Sequence, residues 1–262
     1  MLPIERPRLE LSGPKLKLAL ESLVARAEEQ GGVEAFVAGL KIKSALFRDA
    51  FSSGLELRNF RVLCAHMPTV RRRIGRYAQP EGFAGLKTRI EELLSKSGDA
   101  ATLLSRFCAA FPDDRDHRWV RDLAAELLHY GDPERYPLMT RWMWDTRTNT
   151  GVLREIWHDE NVDHIRIEIA DSYATFLMLR EELAQYLAAN GVFRDVLFYV
   201  DVLCAQVYAE YIGERGGTYL RADFATPEDP MLHTRRILGL DGVDGSGKTR
   251  LKAADGRAEI AP

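Results

Sequence analysis

The chain has 262 residues, 46% of them hydrophobic and 29% charged, with a net charge of −3. That much apolar material suits a buried core and excludes a disordered or low-complexity chain, and at roughly 150 residues per domain the length fits one large domain or two small ones. The net charge hides a division: residues 1–98 carry 17 Lys+Arg against 11 Asp+Glu, residues 99–224 carry 13 against 22, and residues 225–262 balance. The two parts are expected to attract one another, or a different partner each.

Residues 1–14 mix Glu5, Arg6, Arg8 and Glu10 with prolines, and lack the continuous apolar core of a signal peptide, so the cytoplasm is the expected compartment. Ser12 and Pro14 open a helix whose Leu16, Leu20, Leu23 and Val24 mark one face and which ends at Gly31-Gly32. Helical spacing continues through Val33, Phe36, Val37 and Leu40, through Leu46, Phe47 and Phe51, and through Phe60, Leu63, Cys64 and Met67. Phe83, Leu86, Ile90, Leu93 and Leu94 give another stripe, Asp99 caps the next helix, and a further one runs from about Asp116 to Tyr130.

The middle of the chain reads differently. Leu138 to Trp144 and Val152 to His158, rich in Trp, Ile and Val, flank the turn-forming run Asp145 to Gly151, which suits a hairpin. Ile165, Ile167 and Ile169 then alternate with period two, so residues 138–170 are expected to form a small antiparallel meander. Helix throughout is the alternative, because Val162, Ile165, Ile169 and Phe176 also fit a helical face. Helix resumes from Asp171 or Ser172 to Asn190-Gly191, and Phe193 to Ile212 is apolar nearly all round, the mark of a central buried helix. Its apolar stretch, Val196 to Val207, is interrupted by Asp201 and falls short of the ~20 residues that span a bilayer, so no membrane insertion is expected. The expected architecture is therefore α+β and predominantly helical, with all-α as alternative. Residues 1–239 form one globular domain, with a basic helical part to residue 98 and an acidic part after it, and residues 240–262 form a flexible glycine-rich tail.

Four groups of residues carry candidate chemistry. Gly242, Gly247, Lys248 and Thr249 satisfy the phosphate-cradling pattern GxxxxGK[ST], but neither a buried parallel strand before it nor a full helix after it fits, so nucleotide binding is disfavoured. Glu126 with His129, and Glu155 with His158, have the Glu-x-x-His spacing that on helices of a bundle holds a di-iron centre, with Asp201 as a further carboxylate. About half of one such pair is expected by chance among 6 histidines in this chain, so the metal reading stays an alternative. Arg71, Arg72, Arg73 and Arg76 form a basic cluster beside Tyr77, expected on one short helix and suited to an acidic partner or to a phosphate backbone.

Trp119, Trp142, Trp144 and Trp157 concentrate near the centre, with Arg141 beside Trp142, the composition of a binding hot spot or of an aromatic core under the meander. No lysine lies between Lys96 and Lys248, so the basic groups of the acidic stretch are all arginine, the residue suited to bidentate pairing; an arginine-biased genome gives the same pattern. The three cysteines, Cys64, Cys108 and Cys204, stand apart, without the pairing of a disulfide framework or zinc site. No signature of covalent catalysis is present, and the sequence leaves the cofactor open, a metal at the Glu-x-x-His pairs being the one it suggests. The expectation is a non-catalytic adaptor that binds a protein partner through Arg71, Arg72, Arg73, Arg76, Arg141, Trp142 and Trp144. A metal-dependent helical enzyme is the first alternative and a nucleic-acid-binding protein the second.

Overall fold

Short polar side chains set where several helices begin. Ser12 accepts from the Lys15 amide at 3.4 Å, Asp99 from that of Thr102 at 2.9 Å and Ser172 from that of Thr175 at 3.3 Å, each satisfying an amide that has no partner inside the helix. The computed structural model describes residues 7–95, 99–159, 161–220, 231–242, 248–252 and 258–260. Along them run α1 (Gly13–Ala27), α2 (Val33–Ser52), α3 (Leu57–Ala65), α4 (Pro80–Leu94), α5 (Ala100–Ala109) and α6 (Trp119–Gly131). There follow α7 (Val152–Glu155), α8 (Tyr173–Ala189), α9 (Val196–Leu220), α10 (Leu232–Ile237) and the strands β1 (Lys248–Lys252) and β2 (Ala258–Ile260). The chain forms two compact units, one of residues 1–39 with 141–237 and one of residues 40–140 with 238–262.

In the first unit, α1, α7, α8 and α10 all pack on α9. Leu16 and Leu23 of α1, Phe176, Leu179, Leu183 and Leu187 of α8, and Val200, Leu203 and Cys204 of α9 supply the apolar contact and are almost fully buried. The window Val196–Gly213 of α9 is long and apolar enough to cross a membrane by length and composition, with mean hydropathy 1.3, and 56% of it is buried in the fold, as in the core helix of a globular unit. A polar chain threads the same helix: Thr234 donates to Gln206 at 2.7 Å, Gln206 donates to Glu210 at 3.0 Å, and Ser22 donates to the same carboxylate.

Residues 138–170 do not form the expected meander, and this corrects the fold class: the structure is 65% helix, and all-α describes it better than α+β. Among the described residues of this segment there is no strand, only isolated bridges at Asp145 with Thr150 and at Trp157 with Leu11. The period-two pattern is nevertheless physical, since Ile167 is buried between exposed Arg166 and Glu168. What replaces a neighbouring strand is a set of side chains. Asn149 donates to Ile165 O at 3.0 Å and accepts from Ile167 N at 3.1 Å, as a facing peptide would. Trp144 Nε1 and Thr146 Oγ1 donate to Ile169 O at 2.9 and 3.0 Å. The run Asp145 to Gly151 folds back on itself, with Asp145 Oδ1 accepting from Arg147 N at 3.0 Å. Gly151 is required there: at φ 127° a Cβ would stand 2.8 Å from Met143 O.

In the second unit α4, α5 and α6 pack on one another, and α3 packs against β1. Phe60 stacks on Phe83 at 5.2 Å and Phe47 meets Tyr130 at 5.3 Å between ring centroids. Helix α6 is buried almost all round, polar Asp122, Glu126 and His129 included. The stretch expected as a loose tail carries β1 and β2 as an antiparallel pair with Leu251 buried, while residues 243–247, 253–257 and 261–262 lie outside the described residues.

Candidate anion-binding face

Two sets of basic side chains in the second unit come from one stretch of sequence and end in opposite environments. The first is buried. Lys43 of α2 donates to Glu126 Oε2 and to Leu238 O, each at 2.9 Å, with its ammonium 3.9 Å from the centre of the Tyr130 ring. Burial pushes the Glu126 carboxyl above its ordinary value, and the Lys43 charge opposes that. Arg71 forks onto Asp241 at 2.9 and 3.3 Å and also donates to Ala65 O at 3.0 Å. His66 Nδ1 lies 3.0 Å from Gly239 O. Burial, then the Lys43 and Arg71 charges, hold the His66 ring below its ordinary value. Three basic side chains thus fasten the segment 238–242. Gly239 fits there at φ 70° because a Cβ would lie 1.9 Å from His66 O.

The second set is exposed. Residues 68–73 are hydrogen-bonded turns and Gly75–Ala78 is a single 3-10 turn, so the arginine run sits on irregular backbone rather than on the short helix expected. Arg72, Arg73 and Arg76 are exposed, and none has an ion-pair partner among the described residues. Arg73 donates to Arg115 O at 3.1 Å, and Arg76 donates to the Tyr77 hydroxyl at 3.0 Å. That hydroxyl lies 3.3 Å from His117 Nε2, and His117 Nδ1 lies 2.8 Å from Asp114 Oδ1. Asp114 caps the second 3-10 turn, Arg115–His117, by accepting from the Asp116 and His117 amides at 2.9 and 3.0 Å. Its bond to the His117 side chain, ahead of those amide bonds, holds its carboxyl below the usual range.

Beneath the two turns lies an aromatic bed. Tyr77 meets Phe111 at 5.7 Å and Trp119 at 5.2 Å, and Arg89 lies 5.1 Å over the Phe111 ring. Phe107, 5.4 Å from Phe111, also lines a groove of about 650 Å³ between α4 and α5, whose walls include Arg89, Leu93, Leu103 and Arg106. Arg115 and Arg118 add two more exposed guanidinium groups on the second turn. Asp113, Asp114 and Asp116 are interleaved with them.

The other expected site residues fall elsewhere. Trp142 and Trp144 are buried in the first unit, where Trp142 meets Tyr208 at 5.8 Å, so these rings belong to an aromatic core and are not on the surface. Arg141 is half-buried beside them. Of the two Glu-x-x-His pairs, Glu126 is engaged by Lys43, and His129 Nδ1 lies 2.8 Å from Tyr136 O. Glu155 ends the short α7 while His158 lies beyond the bridged Trp157, so this pair does not share a helix. Asp201 is buried on α9, and no group of three or more His, Cys, Asp or Glu able to hold a metal occurs among the described residues.

Gly247 lies outside the described residues, Gly242 closes the fastened segment, and Lys248 and Thr249 begin a strand where a phosphate-binding loop needs a helix. Burial pushes the Cys108 thiol up to about 11 and raises Cys204 well above its ordinary value, so neither is a ready thiolate.

The sequence reading missed Lys43, His66, Asp114, Arg115, His117 and Asp241. Two signals for them exist in the chain: Lys43 falls at i+3 from Leu40 and i−4 from Phe47, on the apolar face, and Asp114-x-x-His117 has the spacing of an N-cap pair. Compared with protein-family models, with curated proteins and with solved structures, the chain matches none.

Proposed function

We propose that the chain is a non-catalytic docking protein whose second unit holds an acidic protein partner on Arg72, Arg73 and Arg76. The observation that carries this reading is that these guanidinium groups stand exposed without an ion pair among the described residues, while the adjacent Arg71 is bonded to Asp241 and Ala65 O. Exposed arginines, with Arg76 lying 4.9 Å over the Tyr77 ring, supply bidentate donors of the kind found at the centres of protein interfaces.

The three aspartates at 113, 114 and 116 bear on the choice of partner. A long polyanion laid across both turns runs along these carboxylates as well as the arginines, whereas an acidic protein segment can bring a few charges to the exposed arginines without doing so. The test is capture from nuclease-treated lysate by wild type and by the Arg72→Ala/Arg73→Ala/Arg76→Ala variant. A protein retained by wild type and lost by the variant is the expected result. Equal recovery by both proteins, or retention that disappears on nuclease treatment, overturns the reading, the latter in favour of nucleic acid.

A further inference from the structure

We infer that Arg73, Arg76, Tyr77 and His117 form a recognition site for a phosphoryl group carried on the partner protein, an inference that rests on the docking reading above and specifies the chemistry of its anchor. The two arginines are held in place before any ligand arrives. Each spends one N–H on the protein, Arg73 on Arg115 O at 3.1 Å and Arg76 on the Tyr77 hydroxyl at 3.0 Å. A guanidinium has five N–H donors in a planar fork, so each arginine keeps further donors for a ligand. Pre-positioning lowers the side-chain entropy lost on binding, which is the main cost of recruiting a long exposed side chain.

Both arginines lead to the same place. Arg73 reaches the turn Arg115–His117 directly, and Arg76 reaches it through Tyr77, whose hydroxyl faces His117 Nε2 at 3.3 Å. Asp114 engages His117 Nδ1 at 2.8 Å, which fixes the ring with Nε2 toward the phenol. The result is a guanidinium, a phenol and an imidazole meeting at one junction of two short turns, with a second guanidinium anchored to the same turn. Tyr77 and His117 are engaged with each other and serve to position the arginines, and the three acceptor oxygens and charge of about −2 of a phosphoryl group match the remaining guanidinium N–H donors better than the single negative charge of a carboxylate. The neighbouring Asp113, Asp114 and Asp116 weaken the long-range positive field, so binding depends on short, directed hydrogen bonds. That favours a compact dianion over an extended nucleic-acid backbone, whose affinity is built from many phosphate contacts.

The experiment uses the full chain and three labelled twelve-residue peptides of one acidic sequence, bearing at the centre serine, glutamate or phosphoserine, with a single-stranded oligonucleotide as fourth probe. Isothermal titration is expected to give at least tenfold tighter binding of the phosphoserine peptide than of either other peptide. The Arg76→Ala and Arg73→Ala variants, both altered at exposed positions, are expected to lose that preference while retaining the wild-type melting temperature. Arg76→Lys, which keeps the charge and loses the fork, is expected to recover less than half of the preference in free-energy terms. Equal affinity for all three peptides overturns the phosphoryl site and leaves acidic docking standing. Binding of none of them overturns both, and preferential binding of the oligonucleotide replaces both with nucleic-acid recognition.

Discussion

Arg71 and Arg72 are neighbours in sequence and opposites in use. Arg71 is buried against Asp241 and Ala65 O, and with Lys43 and His66 it fastens the segment 238–242. Arg72, Arg73 and Arg76 are exposed and have no ion-pair partner among the described residues. A basic cluster read as one surface is therefore two things, a clamp that belongs to the fold and a face that is free to bind. The difference follows from solvation: a buried charge is tolerated only when paired and hydrogen-bonded, whereas an exposed one costs the fold almost nothing to leave unpaired.

The largest expected effect lies at the centre of the clamp. Lys43→Ala leaves the Glu126 carboxylate buried beside Asp122 without its ammonium, and should cost about 3–5 kcal/mol of unfolding free energy. Denaturant melts measure this directly. The companion Lys43→Met/Glu126→Leu variant removes both charges and should recover most of the loss, because packed apolar side chains replace a buried pair at little net cost. If the double variant were as unstable as the single one, the buried charge would not be the cause.

Arg71→Ala should follow, at about 2–3 kcal/mol, since it removes a forked contact to Asp241 and one to Ala65 O where both side chains are nearly buried. Hydrogen exchange sharpens the comparison: amides of 238–242 should lose protection in this variant, and those of the turn Arg115–His117 should keep theirs. Uniform loss in both places would mean that clamp and exposed face are not separate.

The clamp also carries a pH dependence. His66 is held below its ordinary value by burial first and then by the Lys43 and Arg71 charges, so near and below pH 6.5 the unfolded chain binds a proton that the folded chain refuses. Stability therefore rises with pH through this window and is lost as the pH falls from about 7 toward 5, by no more than about 1.4 kcal/mol per pH unit. His66→Asn should flatten that slope in melts across the window. An unchanged slope would assign the pH dependence to other groups.

What the sequence made legible follows the same division between local and distant information. Ser12, Asp99 and Ser172 announced their helices because a cap depends on residues three positions away. The alternation of Ile165, Ile167 and Ile169 suggested a strand of a meander, but no strand forms there: Ile167 alone of the three is buried, and Asn149, Trp144 and Thr146 bond the segment where a neighbouring strand would. Trp142 and Trp144 have the composition of a hot spot and the burial of a core, and composition alone does not separate the two. The partners of Lys43 and Arg71 lie at Glu126, Leu238 and Asp241, at least 83 residues away along the chain, and no local pattern encodes them.

The smallest stability effect is expected where the functional effect is greatest. Arg72→Ala removes an exposed side chain with no ion-pair partner among the described residues, and should change unfolding free energy by less than about 0.5 kcal/mol. Arg73→Ala and Arg76→Ala each also remove one exposed hydrogen bond, to Arg115 O and to Tyr77, and a single exposed hydrogen bond contributes little to the folding free energy. The triple variant should therefore melt within a few degrees of wild type while losing the docking activity. Because these sites lie within a few residues of one another, their costs need not add, and the single variants have to be measured beside the triple. A triple variant destabilised as much as Arg71→Ala would make the exposed arginines part of the clamp's support, and its loss of binding would then report unfolding and not recognition.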